Sequence, residues 1–425
     1  MFFRLMTARR FAPLFWCQFF SAFNDNFLKT SLVFLILFRL ENGGHAQLLI
    51  TLAGATFIFP FFILSALGGE IADHFDKARV AERLKLVEIA VAAVAVIGFW
   101  SHSVPTLFVA LFLFGVISAL FGPIKYGILP DHLPLAELPA ANALVEAATF
   151  VAILTGTIAG GMAARDGGDP ASFASAMILL ALACWASARF IPPSGRAAPQ
   201  LRIRANIAAS TAQLLRATAT EPRQLWATLV VSWFWLVGIV VLALLPPLAK
   251  GRFGGTEDVL TAFLAIFSIS IGIGSALASM IARGRIVLMP VPIAAVLIGL
   301  FALDLGFAAK SDGALTHIAA LYGTPLGLRV TADLAGVAIA GGLFIVPAFT
   351  AIQHWAGAER RARAIAAVNV LNAAAMVAGS LVLAALQAAG LSIAALLMML
   401  GGANVAAALA IFLTRPQAAP HPRYG

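Results

Sequence analysis

The chain has 425 residues, 61% hydrophobic and only 11% charged, with 28 Lys and Arg against 19 Asp and Glu for a formal charge of +9. Soluble domains carry about 25% charged residues, so this composition, with a mean hydropathy of +0.96, excludes a soluble enzyme and predicts a polytopic, all-α integral membrane protein. Apolar runs of about 20 residues exclude an outer-membrane barrel; scattered basic residues without interleaved aromatics argue against nucleic acid as a partner, and two cysteines within apolar runs, Cys17 and Cys184, suggest neither a disulfide framework nor a metal site.

Met1–Arg10 is too short and basic for a cleaved signal peptide, and the run behind it is too long and polar for one, so it reads as the cytoplasmic lead-in to an uncleaved first helix. Twelve spans are predicted, at about 12–38, 47–72, 84–101, 104–124, 141–163, 171–191, 224–249, 257–282, 286–308, 333–354, 362–387 and 391–414. In the first, Gln18, Ser21, Asp25 and Lys29 follow one another by three, four and four residues and form one polar stripe. A charge at the bilayer centre costs roughly 2.5–3.5 kcal/mol, so the stripe is expected to face a wet cavity. The plainer alternative is an Asp25–Lys29 ion pair that neutralises itself, although Asn24, Asn26 and Gln18 exceed what one pair needs.

The second span runs into Gly68-Gly69-Glu70-Ile71-Ala72-Asp73-His74-Phe75-Asp76-Lys77-Ala78-Arg79. Two glycines allow close helix approach, Asp73 lies at a helix C-terminal end, and Lys77 and Arg79 are placed to pair with acids across the loop. The pattern resembles the loop signature of the major facilitator superfamily, which makes Gly69, Asp73, Lys77 and Arg79 a conformational latch; an ordinary charged turn is the alternative. The second-half counterpart, Ile281-Ala282-Arg283-Gly284-Arg285, keeps only the basic part.

The fourth span ends in Phe121-Gly122-Pro123-Ile124-Lys125-Tyr126-Gly127, and the fifth carries Asn142, Glu146, Thr149 and Gly156 on one face. Glu146 either joins a polar site, snorkels to the boundary or pairs with Lys125. Gly156, Gly160 and Gly161 form a small-residue seam. Glu88 and Asp304 each lie singly in a span and face a loop, a partner or a proton path.

The longest polar interruption, Pro192–Arg223, contains the amphipathic stretch Ile207–Ala219 and reads as a cytoplasmic connector. It separates six-helix halves at 1–191 and 224–414, with 415–425 a cytoplasmic tail. The halves echo each other: Ser65-Ala66-Leu67 recurs as Ser275-Ala276-Leu277, Pro123 matches Pro347, and Glu146, Thr149 and Gly156 match Asn369, Asn372 and Gly379. Parallel repeats of this kind place a substrate site between them, near the midplane. With the first span leaving from inside, 21 Lys and Arg, including Lys85 and Arg423, fall on the inner side and six, including Arg39 and Arg165, on the outer, which puts both termini in the cytoplasm.

The Gln-Phe-x-Ser-Ala-Phe-Asn-Asp-Asn run from Gln18, the Gly-Pro-x-Lys-Tyr-Gly-Ile-Leu run from Gly122 and the Ala-Asn-x-Leu-x-Glu-x-x-Thr-Phe run from Ala141 together resemble the bacterial lysophospholipid transporter family, a branch of the major facilitator superfamily. The similarity covers the whole chain and is strongest over residues 9–161. It implies the major facilitator fold with 12 transmembrane helices in two pseudo-repeats, a bacterial inner-membrane location, no cofactor and no catalytic residue. It further implies transport of lysophosphatidylethanolamine and lysophosphatidylglycerol to the cytoplasmic leaflet for reacylation by a separately encoded acyltransferase/acyl-ACP ligase. The Arg9-Arg10-Phe11-Ala12-Pro13-Leu14 start most resembles versions fused to such domains, none of which is expected before Gly425. Substrate contacts are then expected from Gln18, Ser21, Asp25, Lys29, Glu146, Thr149, Asn369 and Asn372, with Phe19, Phe20, Phe23 and Phe27 along the acyl chain. Sideways access is expected along spans five and eleven, through Gly156, Gly160, Ala374, Ala378 and Gly379. The seventh span has no ionisable side chain, so second-half contacts to a head group are polar at most, from Ser232, Asn369 and Asn372.

The alternative is a major facilitator transporter of another amphipathic solute or drug. A membrane acyltransferase lacks support, because none of the seven His has an Asp at the spacing such enzymes use, and no phosphate loop or Gly-x-Ser-x-Gly appears.

Overall fold

A computed structural model describes residues 2–39, 43–164, 169–204 and 206–416. Arg165, Arg423 and most of the expected tail lie outside the described residues, as does the Arg39 side chain. The described chain is helical, with twelve long helices: α1 (Ala12–Arg39), α2 (Gly43–His74), α3 (Lys77–Trp100), α4 (Val104–Gly127), α5 (Leu138–Ala164), α6 (Pro170–Arg189), α7 (Pro222–Pro246), α8 (Glu257–Ala282), α9 (Pro290–Ala308), α10 (Pro325–Trp355), α11 (Arg361–Ala388) and α12 (Ile393–Thr414). Among the described residues ten of these are long and apolar enough to cross a membrane. The other two, α1 and α3, carry the polar stripe and the richest run of charges.

Local chemistry sets the helix ends. Asp76 accepts hydrogen bonds from the amides of Ala78 and Arg79 and so starts α3 at Lys77, seven residues before the apolar run. Lys85 is therefore not in a loop, as its place in the charge count required; it is a fully buried residue of α3. Thr324 likewise caps α10 through the Gly327 amide, starting that helix eight residues early. The connector holds the expected amphipathic helix at Ile207–Ala219.

Helix pairing obeys a two-fold rule. In the first half α1 packs on α5, α2 on α4 and α3 on α6; in the second, α7 packs on α11, α8 on α10 and α9 on α12. The halves meet through α2 against α11 and α5 against α8, contacts that exchange when the halves are swapped. The sequence echoes sit accordingly. Ser65 and Ser275 are both fully buried, and Pro123 and Pro347 lie inside α4 and α10. Gly156 packs on α1 and Gly379 on α7, so tightly that a Cβ on Gly156 would stand 2.5 Å from the Phe23 carbonyl oxygen. Without a hydrophobic drive between helices in lipid, such small residues let backbones approach and gain dispersion contact.

This placement corrects the expected access route. Gly156 and Gly160 are spent against α1, and α5 and α11 share no packing seam.

Candidate functional site

Between the halves lies a cavity of about 250 Å³. On the α1 side it is lined by Gln18, Ser21, Asp25 and Asn26, three of them from the predicted stripe. Helix α4 adds Ser118, Phe121 and Lys125, spaced so that one face of the helix presents all three, and α5 adds Thr149. Helix α11 contributes Asn369 and Asn372, while Phe57, Phe61, Trp235 and Phe349 give aromatic walls.

The polar groups are tied into chains that cross helices. The Ser118 hydroxyl donates to Asp25 Oδ2 at 2.8 Å. Lys125 Nζ donates to Thr149 Oγ1 at 2.9 Å, and the Thr149 hydroxyl lies 3.1 Å from Gln18 Oε1. Three lining atoms have no hydrogen-bond partner among the described residues: Asp25 Oδ1, Gln18 Nε2 and Asn369 Nδ2. Buried polar atoms are rarely left so. One acceptor and two donors thus face a space that also holds the Lys125 ammonium, a set able to receive a cationic and an anionic group side by side.

Asn369 is brought in by a glycine. Its Nδ2 lies where a Cβ on Gly122 would come within 2.5 Å, so a side chain there would push this amide out of the position in which α11 presents it to α4. Asn372 bonds Ser232 of α7 at 2.9 Å, fixing the second-half wall with the neutral groups that the seventh span offered.

Of the expected contacts, Gln18, Ser21, Asp25, Thr149, Asn369 and Asn372 line the cavity. Lys29 and Glu146 do not. Lys29 makes no ion pair with Asp25 among the described residues, so neither a shared pocket nor the self-neutralising pair is observed. Glu146 is fully buried and accepts from the Tyr126 hydroxyl at 2.6 Å, tying α5 to α4, while Lys125 bonds Thr149 instead. The cavity's cation is Lys125.

Behind Ser21 lies a pair the sequence reading split. Lys85 Nζ donates to Glu88 Oε2 and to Ser21 Oγ, each at 2.6 Å, and sits 4.3 Å from the Phe121 ring centroid. Glu88 is therefore not single in its span. The three-residue spacing of Lys85 and Glu88 was the available signal; counting Lys85 with the inner loop rather than with the third span hid it.

One end of the bundle is closed by contacts between the halves. Asp73 Oδ1 accepts from the Ala362 amide at 3.0 Å, and Oδ2 accepts from Arg363 Nε and its amide at 3.0 and 3.1 Å. An acid at the end of α2 thus serves the unpaired amides that open α11. A Cβ on Gly69 would press within 2.7 Å of the Ala366 methyl. Lys77 and Arg361 both donate to Asp131, at 2.9 and 2.7 Å. Nearer the cavity Tyr126 stacks on Phe349 with centroids 4.3 Å apart, and Asn142 bonds Thr350 and Gln353. Among the described residues, the hydrogen bonds and ion pairs that join the two halves all lie at this end. Of the residues expected in a latch, Gly69, Asp73 and Lys77 lie at this closed end, whereas the Arg79 side chain is exposed and Asp73 holds Arg363 instead.

Asp304 also proves paired. Arg329 grips its carboxylate from α10, with Nε–Oδ2 at 2.9 Å and Nη2–Oδ1 at 2.5 Å.

Comparison with known proteins agrees with this architecture. The chain is 29% identical over 358 residues to lysophospholipid transporter LplT of Yersinia enterocolitica, an alignment covering 83% of this chain and 80% of that protein. It is 31% identical over 280 residues to lysophospholipid transporter LplT of Yersinia pestis, there covering 64% of this chain and 65% of the relative's length. Among solved structures, the human organic anion transporter MFSD10 superposes with a TM-score of 0.74 at 16% identity, over 96% of this chain and 99% of that one. A bacterial homologue of the iron transporter ferroportin in its outward-facing state gives 0.68 at 15%, over 95% and 98%; at such identities these two speak to the fold alone. The sequence profile described as Major Facilitator Superfamily matches residues 14–332, most of the chain, and with the paired six-helix packing around a central cavity it establishes that this chain belongs to the major facilitator superfamily.

Proposed function

We propose that this chain is a secondary transporter of lysophospholipids, working by alternating access in a bacterial inner membrane. The observation that carries the reading is the cavity itself, in a chain similar to lysophospholipid transporters: an acid, Asp25, and a base, Lys125, stand with unpartnered amides inside aromatic walls. A lysophospholipid has a phosphate, in phosphatidylethanolamine species also an ammonium, and one acyl chain. Asp25 receives the ammonium, while Lys125, Gln18 and Asn369 receive the phosphate.

We place the division between functional halves at the 192–223 connector and both termini in the cytoplasm, following the charge asymmetry of the loops. The closed end is then cytoplasmic, the cavity belongs to an outward-facing state, and the cargo moves towards the inner leaflet, where a separately encoded acyltransferase restores the second chain. Sideways access lies along α2 and α11, where the wall is apolar on both sides: Phe57, Ile58 and Phe61 face Ala373 and Met376. Drawing a whole acyl chain through water would instead cost roughly 0.8 kcal/mol per CH₂.

The test is leaflet-resolved uptake of labelled lysophosphatidylethanolamine by proteoliposomes holding the purified chain, with and without Na⁺ or H⁺ gradients. Uptake above that of protein-free liposomes is expected. Its absence under every gradient, with uptake of an unrelated amphipathic solute instead, overturns the reading.

A further inference from the structure

A second cavity of about 250 Å³ opens beside the closed end, walled by the connector helix Ile207–Ala219, the end of α2 and the first turns of α7 and α11. It shares no lining residue with the central cavity. Two guanidinium groups, Arg202 and Arg204, reach it, and neither side chain has a hydrogen bond or ion pair among the described residues.

The acids that line it are already engaged. Glu70 accepts from the Arg204 amide at 3.0 Å and from the Ser210 hydroxyl; Glu221 pairs with Arg360 at 2.5 Å. The charge left over is positive. Gln224, in the first turn of α7, is only 5% exposed, yet both its amide nitrogen and its amide oxygen lack partners among the described residues. Glu221, the residue before that helix, gives it no side-chain cap, so the partial positive charge of the N-terminus adds to the field of the arginines.

We propose that this cleft binds a phosphate-bearing anion, recognised by the Arg202 and Arg204 guanidinium forks and by the Gln224 amide. Guanidinium matches phosphate oxygens two at a time, and a buried amide with both ends unpaired satisfies its donor on an oxygen of the ligand and its acceptor on a phosphate or glycerol hydroxyl. The phosphate belongs either to the head group of an anionic phospholipid or to a free phosphate ester, chemistry that the cleft reads alike. The occupant bridges the connector to α7 and lies against Arg363, the residue that holds Asp73.

The experiment follows the thermal-unfolding midpoint of the full-length chain in detergent as ligand is titrated at fixed ionic strength. One arm uses glycerol 3-phosphate, the other diacyl phosphatidylglycerol against phosphatidylcholine. Stabilisation by either arm is expected, because a ligand that binds only the folded state raises the midpoint; the arm that responds identifies the source. Arg202→Gln with Arg204→Gln, and separately Gln224→Leu, should weaken the apparent affinity roughly tenfold or more, since hydrogen bonds to a charged group are lost. Lys125→Gln, which alters the central cavity, should leave it unchanged. No stabilisation of the unsubstituted chain overturns the proposal. So does an affinity that survives the cleft substitutions, or one that Lys125→Gln abolishes.

Discussion

At the scale of single residues, Asp25 and Lys125 divide the central cavity by charge, and each is held by a neutral hydroxyl rather than by an opposing ion. A carboxylate bonded to one serine and an ammonium bonded to one threonine keep most of their field for something else in the cavity. Asp25→Asn and Lys125→Gln are therefore each expected to reduce lysophosphatidylethanolamine uptake by roughly tenfold to a hundredfold, as loss of a charge-assisted contact does, with expression and folding retained. Lys29→Gln, outside the lining, should stay within about twofold. A Lys29 effect as large as that of Lys125 would return the cation site to α1. The stripe Gln18, Ser21 and Asp25 was legible because helical periodicity alone puts it on one face. Lys125 was visible as a residue but not as its partner's partner: which of Glu146 and Thr149 it meets depends on the rotation of α4 against α5, which no spacing within one helix encodes.

At the scale of elements, the closed end is a set of helix termini that the Lys77–Asp131, Arg361–Asp131 and Arg363–Asp73 ion pairs help to hold together. Asp73 has no exposed surface and takes three hydrogen bonds from the start of α11. Opening this end must strip that carboxylate of all three donors, so the contact biases the equilibrium strongly towards closure. Arg363→Gln should shift the ratio of open to closed conformers about tenfold or more, because one charge-assisted bond is removed while the two amides remain. The measurement is labelling of Phe349→Cys, a buried position at the cavity floor, by a membrane-impermeant maleimide applied from the closed end. Arg79→Ala should leave the labelling rate unchanged, since that side chain is exposed; equal effects of the two substitutions would remove Asp73–Arg363 from the latch. The position of Asp73 at a helix end was readable from the local run of glycines and acids. Its partner lies 290 residues away and was not, because pairing across halves is fixed by how two helices meet, and a nearer arginine satisfied the local pattern equally well.

At the scale of the whole molecule, the two-fold rule explains why the predicted route along α5 and α11 fails while the two repeats hold. Swapping the halves turns α5 into α11, so these are equivalent helices, each serving its own half's α1 or α7 and each meeting the other half through a different neighbour. The seams that can part are α2–α11 and α5–α8. Gly156 and Gly379 looked alike from sequence for the same reason, and both are packing glycines within a half. Gly156→Leu should thus disturb α1–α5 packing and lower transport of every substrate together. Along α2–α11 the consequence differs, because Met376 lies in the apolar wall and is only partly buried. Met376→Trp adds bulk where an acyl chain would lie and leaves the Asp25 and Lys125 end untouched, so the loss should grow with chain length. Uptake of a sixteen-carbon lysophosphatidylethanolamine is expected to fall by roughly tenfold, the scale on which a crowded apolar pocket discriminates, while a six-carbon analogue should fall by about twofold at most. Losses equal for both chain lengths would move the acyl path to α5–α8, where the Phe150 and Phe267 rings, 6.1 Å apart, meet across the halves.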